Sequence, residues 1–228
     1  MNKKTHFLVL PLAVFIGLGV SVFSEISTAN EKDGWISVFN GKNLDGWKSN
    51  EEVSGCFKVE AGALKVSCGR AHLFYVGPGG ADGTVKFKDF ELRAKVKSTA
   101  GSNSGIFFHT RYQERGWLSS GYEAQINNHE NTPKRTGSLF GVVDVTADKF
   151  AVLKDGEWFD YAIRVLGKRV VLRVNGKVTA DFTEPDGWNP SKLFKDFPGR
   201  RLSEGTFAIQ GHDSRSTVYY RDMLVKRL

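Results

Sequence analysis

Two stretches of the chain carry side chains that can perform acid–base chemistry on a polar substrate. In the first, residues 120–128, Glu123 is followed by two amides, Gln125 and Asn127. If this stretch is a strand, the three side chains share one face, because alternate residues of a strand point to the same side. A carboxylate flanked by amides suits the binding of sugar hydroxyls or a hydrated metal ion. The alternative is a solvated polar face of an antiparallel sheet.

The second stretch, residues 206–212, repeats the pattern. Gln210 and His212 share one strand face, and the residues between and before them are apolar. If both stretches belong to one sheet, Glu123 and His212 face a common pocket. That pairing is a general acid/base arrangement, and with the amides it is also a plausible oxygen-and-nitrogen metal site. The alternative for His212 is a histidine at a strand end, in a turn.

A third candidate group lies between these stretches. Residues 103–111 contain the run Gly-Ile-Phe-Phe, which is apolar on both faces, as is typical of a central strand. Continued alternation places Phe107, His109 and Arg111 on the face of Gly105, where a missing side chain leaves room for a close approach. An exposed surface pair is the alternative for His109 and Arg111. Trp117, in the loop that follows, can supply an aromatic platform for a sugar.

Several common hydrolytic chemistries are not indicated. The polar face of residues 120–128 offers Glu123 alone, whereas a two-carboxylate glycosidase needs two acids flanking one bond. The sequence has no Gly-x-Ser-x-Gly nucleophile elbow and no His-Glu-x-x-His zinc motif.

The N-terminal residues have the pattern of a targeting segment. Two lysines precede an apolar run at residues 7–23, and small residues at 27–29 form a cleavage site. We expect residues 1–29 to be a cleaved signal peptide, so that the protein is exported to the periplasm or beyond the cell. An uncleaved membrane anchor is the alternative, and a membrane contact is expected only in that case. Residues 30–228 have the size of a single domain.

The net charge of +7 raises the question of nucleic-acid binding. The basic residues are scattered, with no long run and no nucleic-acid motif, so we expect none.

The remaining segments predict an all-β protein, a two-sheet antiparallel sandwich. Most segments are short, alternate in twos and are separated by Gly, Asn or Asp. We expect a strand at residues 137–145 and a three-stranded meander over residues 158–182, with a tight turn at Asn175-Gly176.

The two cysteines, Cys56 and Cys68, suggest a disulfide in an exported protein. A hairpin that pairs Phe57 with Val66 would place them on opposite faces, and a bulge would be needed to join them. The sequence leaves both outcomes open.

Five motifs, in order along the chain, resemble those of the 3-keto-disaccharide hydrolase domain family. They are VFNGKNLDGW (38–47), NSGIFF (103–108), GYEAQI (121–126), TGSLFG (136–141) and IQGH (209–212). The resemblance covers roughly residues 35–226. It implies a concanavalin A-like jelly roll and an enzyme, a hydrolase or lyase, that acts on 3-keto-glycosides.

In that chemistry a base removes the proton on sugar C2, and the glycosidic oxygen leaves by β-elimination. The resemblance implies Glu123 or His212 as the base and Gln125, Asn127 and Gln210 as groups that hold hydroxyls, with a divalent cation, if present, as Lewis acid.

The chain departs from the family pattern at two positions. His109 stands where Arg usually follows Gly-Ile-Phe-Phe, and Asn127 stands where Asp is common. The alternative function is a carbohydrate-binding domain without catalysis, because sandwich folds host both.

Overall fold

The computed structural model describes residues 32–50, 52–80, 85–129, 132–149, 153–192 and 197–228. The predicted signal peptide lies outside these ranges. Within them, no helix combines the length and apolar character needed to cross a membrane.

Thirteen strands and two short 3-10 helices make up the described regular structure. The strands are β1 (Trp35–Ser37), β2 (Trp47–Ser49), β3 (Phe57–Glu60), β4 (Ala63–Val66), β5 (Ala71–Tyr75), β6 (Phe90–Ser98), β7 (Asn103–Thr110), β8 (Tyr122–Asn127), β9 (Phe159–Leu166), β10 (Arg169–Val174), β11 (Lys177–Thr183), β12 (Thr206–Gly211) and β13 (Val218–Arg227). The 3-10 helices are Lys32–Gly34 and Pro190–Lys192.

The strands form two antiparallel sheets, which confirms the predicted sandwich. The larger sheet has eight strands in the order β11-β10-β9-β6-β13-β4-β3, with β1 paired to β13. The smaller has five strands in the order β2-β5-β12-β7-β8. The predicted meander is β9-β10-β11, at one edge of the larger sheet.

The main core lies between the sheets, as alternation requires of a sandwich. From the smaller sheet it takes residues such as Tyr122, Ile126 and Phe207, and from the larger sheet Leu92 and Ile163. The opposite face of the smaller sheet carries the polar residues that alternate with these, together with a second apolar cluster around Phe107. The polar site is therefore backed by a rigid hydrophobic layer.

The strand predicted at residues 137–145 is wrong. This segment consists mainly of turns. It contacts β8 through an isolated bridge between Ala124 and Leu139 and through backbone hydrogen bonds such as that from the amide of Phe140 to the carbonyl of Glu123, at 2.9 Å. Glycines at 137 and 141 adopt positive φ angles of 92° and 71°, which interrupt an extended chain.

A disulfide joins Cys56 and Cys68, whose Cα atoms lie 5.0 Å apart. The predicted hairpin register is confirmed, with Phe57 opposite Val66. β4 ends at Val66, so the alternation of side chains does not extend to Cys68. Cys68 can therefore turn towards Cys56. The open question of the cysteines is resolved by where the strand stops.

Candidate active site

The smaller sheet brings the two predicted stretches together. β8 and β12 are separated only by β7, and Phe107 of β7 lies opposite both Glu123 and Ala208. The side chains of Glu123 and Gln210 point away from the main core, because their strand neighbours fill it. The predicted alternation is confirmed for both strands.

These side chains line a cavity of about 260 Å³ on the outer face of the smaller sheet. Its lining residues are Asn103, Phe107, Trp117, Glu123, Gln125, Phe140, Phe197, Arg200, Gln210 and His212. Six of these come from the sheet or its strand ends, and the others come from connections that fold over it.

Three connections build the walls: β7–β8 supplies Trp117, β8–β9 supplies Phe140, and β11–β12 supplies Arg200. The first and third are joined, because Gly199 donates to the carbonyl of Ser119 at 3.1 Å and accepts from the amide of Gly121 at 3.0 Å. A Cβ at Gly199 would lie 2.5 Å from the Ser119 oxygen, so only glycine permits this contact.

Glu123 and Arg200, which both line the cavity, form a buried ion pair. They are 4% and 2% exposed, and Arg200 Nη2 lies 3.5 Å from Glu123 Oε2. Aromatic rings surround the guanidinium, with ring centroids 5.8 Å away at Phe107, 5.1 Å at Phe140 and 4.6 Å at Phe197. The pair therefore sits in a region of low dielectric, where its charges act strongly.

The Glu123 carboxyl has the properties of a general base. Burial raises its pKa above the ordinary value, while the Arg200 guanidinium, His212 and a hydrogen bond from Gln210 oppose the rise. Burial in turn lowers the pKa of Arg200, against the attraction of Glu123. A raised pKa makes a carboxylate a stronger proton acceptor near neutral pH.

His212 lies at the mouth of the cavity, with its side chain 35% exposed. Its Nδ1 is 3.0 Å from Asp213 Oδ2, and its ring lies 5.2 Å from that of Trp117. Burial raises the pKa of Asp213, but hydrogen bonds from His212, Arg215 and Ser216 outweigh it and lower the pKa. An ionised Asp213 orients the imidazole and leaves Nε2 to exchange a proton.

The two predicted glutamines reach the cavity. Gln125 Nε2 donates to Asn103 Oδ1 at 3.2 Å. Within the described ranges, Oε1 of Gln125 and Oε1 of Gln210 are buried without a hydrogen-bond partner. Buried carbonyl oxygens without partners are unfavourable, so these two are available to accept hydrogen bonds from a ligand.

His109 and Arg111 lie elsewhere, so the predicted sharing of a face with Phe107 is wrong. His109 has a φ of 54°, at a point where the pairing of β7 with β12 shifts register. This bulge turns the imidazole away, towards the ring of Phe90 and the carbonyl of Lys88, 2.9 Å from Nε2. Arg111 is exposed and lines a separate surface cavity.

Asn127 is on β8 but does not line the cavity. Its Oδ1 accepts a hydrogen bond from the amide of His129 at 2.8 Å, which closes the turn after the strand. Asn127 therefore has a structural contact, and its predicted contact with substrate stays a prediction.

Trp117 is 37% exposed beside the cavity, as a platform would be. Its ring makes an edge-to-face contact with the buried ring of His72, 6.0 Å away, and the guanidinium of Arg70 lies 5.6 Å from its centroid. Burial lowers the pKa of His72 to about 4, so this histidine is a neutral packing residue.

Two glycines allow close contacts in and behind the site. A Cβ on Gly105 would lie 2.6 Å from Glu123 Oε1, so the carboxylate itself occupies the space predicted there. A Cβ on Gly211 would lie 2.6 Å from Cys68 Sγ and 2.9 Å from Cys56 Sγ. The disulfide thus packs directly against the residue that precedes His212.

The donor set does not match a metal centre. No group of three or more His, Cys, Asp or Glu side chains converges anywhere in the part of the chain described. The cation beside Glu123 is the guanidinium of Arg200. We therefore assign no step to a metal, and the divalent cation expected from the sequence stays a prediction.

Sequence reasoning missed Arg200, Asp213 and the aromatic wall. Arg200 lies in a loop without periodicity, and its only local signal is the Phe-Pro-Gly turn before it. Asp213 directly follows His212, and that adjacency could have suggested the pair.

Several solved structures share the fold of this chain. A candidate glycosyl hydrolase of Parabacteroides distasonis has a TM-score of 0.70 at 22% identity, over 86% of this chain and 94% of that one. A second candidate glycosyl hydrolase from that organism has a TM-score of 0.66 at 25% identity, over 85% and 99%. The carbohydrate binding module CBM66 of Bacillus subtilis has a TM-score of 0.52 at 14% identity, over 81% of this chain and 97% of that one.

At the level of sequence, the chain is 35% identical over 81 residues to a 3-keto-disaccharide hydrolase of Bacteroides thetaiotaomicron. This match spans 34% of the chain and 28% of that protein. Residues 34–226 match the model of the 3-keto-alpha-glucoside-1,2-lyase-like domain. The match covers most of the sequence and agrees with the resemblance of the five motifs. The chain belongs to the 3-keto-alpha-glucoside-1,2-lyase-like domain family.

Proposed function

We propose that the protein is an exported enzyme that cleaves 3-keto-glycosides by removing the C2 proton and expelling the glycosidic oxygen from C1. Family membership and the sandwich fold support a carbohydrate-active protein. The observation that carries the finer proposal is the buried Glu123–Arg200 pair in a cavity whose mouth holds His212.

The proposed reaction needs one strong base. A ketone at C3 acidifies the hydrogen on C2, and Glu123 takes that hydrogen as a proton. The C–H electrons first form a C2–C3 double bond and place the negative charge on the C3 oxygen, which gives an enediolate. When the C3 carbonyl forms again, those electrons make a C1–C2 double bond and the C1–O bond breaks. The departing oxygen takes a proton from His212, whose contact with Asp213 orients it at the mouth. Water added across the double bond then gives the free 3-keto sugar.

The amides and the aromatic platform account for substrate binding. Gln125 and Gln210 offer carbonyl oxygens to sugar hydroxyls, and Trp117 offers a ring face beside them. Such a combination of few polar groups with aromatic walls is typical of small-molecule sites.

Export is part of the proposal. The predicted signal peptide supports it, and so does the Cys56–Cys68 disulfide, because such bonds persist mainly in oxidising compartments.

The direct test is to incubate the purified protein with 3-keto disaccharides and with the unoxidised disaccharides, each with and without a chelator. We expect cleavage of the 3-keto substrates alone, with release of the second sugar measured by chromatography. Cleavage of ordinary disaccharides only would overturn the elimination mechanism. Binding of either sugar without any cleavage would favour the non-catalytic carbohydrate-binding domain.

Glu123→Gln is expected to abolish cleavage, because an amide cannot accept the C2 proton. The variant is isosteric, so circular dichroism should match that of the wild type. Glu114→Gln is a matched control, since Glu114 is an exposed residue in the loop of Trp117 and does not line the cavity. Unchanged turnover in Glu123→Gln would remove Glu123 from the role of base.

A further inference from the structure

We propose that Arg200 is a catalytic residue that stabilises the enediolate oxygen formed at C3, the task that a Lewis-acid metal would otherwise perform. This inference rests on the proposed function and adds the electrophilic group to it.

The position of Arg200 is the first argument. Its guanidinium lines the same cavity as Glu123, and the two groups are in contact at 3.5 Å. A substrate whose C2 hydrogen meets Glu123 carries the C3 oxygen on the adjacent ring carbon. A guanidinium has five N–H donors in a planar fork, so it can hold a carboxylate and a neighbouring oxyanion together.

Charge conservation within the cavity is the second argument. Before the reaction, the negative charge on Glu123 is balanced by Arg200. When the C2 proton moves to Glu123, the carboxyl becomes neutral and the negative charge appears on the C3 oxygen. A fixed Arg200 balances the charge at both stages, so no buried ion is left without a counterion.

Preorganisation is the third argument. The amide of Arg200 donates to the carbonyl of Phe197 at 3.2 Å, and the indole of Trp188 donates to the carbonyl of Arg200 at 3.0 Å. Gly199, the residue before Arg200, donates a backbone hydrogen bond to the carbonyl of Ser119. Donors held in place before charge develops, in a site that excludes water, are the most effective in catalysis.

The test must separate this role from an effect of Arg200 on the basicity of Glu123. The charged or titratable groups that act on Glu123 in the described structure are Arg200 and His212, and the phenols of Tyr161 and Tyr220 interact with it from the core side. Arg200 lowers the pKa of Glu123, so its removal raises that pKa. The acid limb of the pH–rate profile would then move to higher pH, since the base works only when ionised.

The experiment measures two rates across pH for the wild type, Arg200→Lys and Arg200→Met. One is cleavage of a 3-keto disaccharide. The other is C2 hydrogen exchange in D₂O, followed by NMR, for a 3-keto sugar without a leaving group at C1. We expect Arg200→Met to lose about 10²–10³-fold in both rates on the plateau above the pKa of Glu123, the effect of one oxyanion donor. Arg200→Lys, which keeps the charge, should recover part of the loss.

Rates that return to wild-type values on the plateau would overturn the inference, since Arg200 would then act only through the pKa of Glu123. Arg201→Lys is the matched control, because Arg201 is the next residue and is exposed. Glu123→Gln/Arg200→Met removes both charges and reports whether folding alone requires the pair. If the wild type neither cleaves the 3-keto disaccharide nor exchanges the C2 hydrogen, the proposed function is wrong, and this inference is wrong with it.

Discussion

At the scale of single residues, Gly105 matters because it has no side chain. Its φ is not in the left-handed region, so the backbone does not require glycine there. What requires glycine is Glu123, whose Oε1 would lie 2.6 Å from a Cβ. The absence of a side chain at Gly105 thus leaves space on β7 for the Glu123 carboxylate.

Gly105→Ala is therefore expected to displace the carboxylate and lower kcat by at least tenfold, because small misplacements of a catalytic group are costly. Steady-state kinetics on a 3-keto disaccharide would measure this. Gly69→Ala is a suitable control: its Cβ would make an ordinary contact with Val53 at 3.9 Å, and its φ is also unconstrained. Equal losses in the two variants would contradict a specific effect on Glu123.

The individual residues also show what could be predicted. Glu123, Gln125 and Gln210 were accessible from the sequence because alternation within a strand fixes the face of each side chain. Arg200 was not accessible, since its place depends on a contact between two loops distant in sequence. No local pattern encodes such a contact.

At the scale of elements, the bulge in β7 shows where alternation fails. An unbroken strand would bring His109 to the face of Phe107, and the sequence carries no proline or glycine at that point to signal a break. The positive φ of His109 is a tertiary outcome, stabilised by its ring contacts with Phe90 and Phe108. The sequence therefore predicted that β7 is a strand, but it did not predict the bulge that changes the direction of His109.

The disulfide belongs to this scale, because it closes the β3–β4 hairpin over a separation of 12 residues. Cys56→Ser/Cys68→Ser is expected to lower the free energy of unfolding by about 3 kcal/mol, as for loops of similar length. Denaturant unfolding followed by tryptophan fluorescence would measure this. The wild type with a reductant should show the same shift, and identical midpoints for oxidised and reduced protein would contradict the expectation.

At the scale of the whole molecule, the sandwich separates stability from chemistry. The face of the smaller sheet towards β6, β9 and β13 is filled by the main core, and its other face carries the cavity. Short alternating segments were enough to predict this class of fold. They did not predict the order of strands in each sheet, because pairing between distant segments is set by the packing of the complete chain.

The cavity of about 260 Å³ is smaller than the pockets of roughly 300–1,000 Å³ that enclose drug-sized ligands. It suits one sugar ring, so the group attached at C1 would project past His212 and Trp117 into solvent. We expect kcat/KM for 3-keto-glycosides of one sugar to follow the acidity of the departing alcohol and to vary little with its size. A strong preference between departing alcohols of equal acidity would argue against this. If the expectation holds, one protein can release many different alcohols, as long as each is linked to the same oxidised ring.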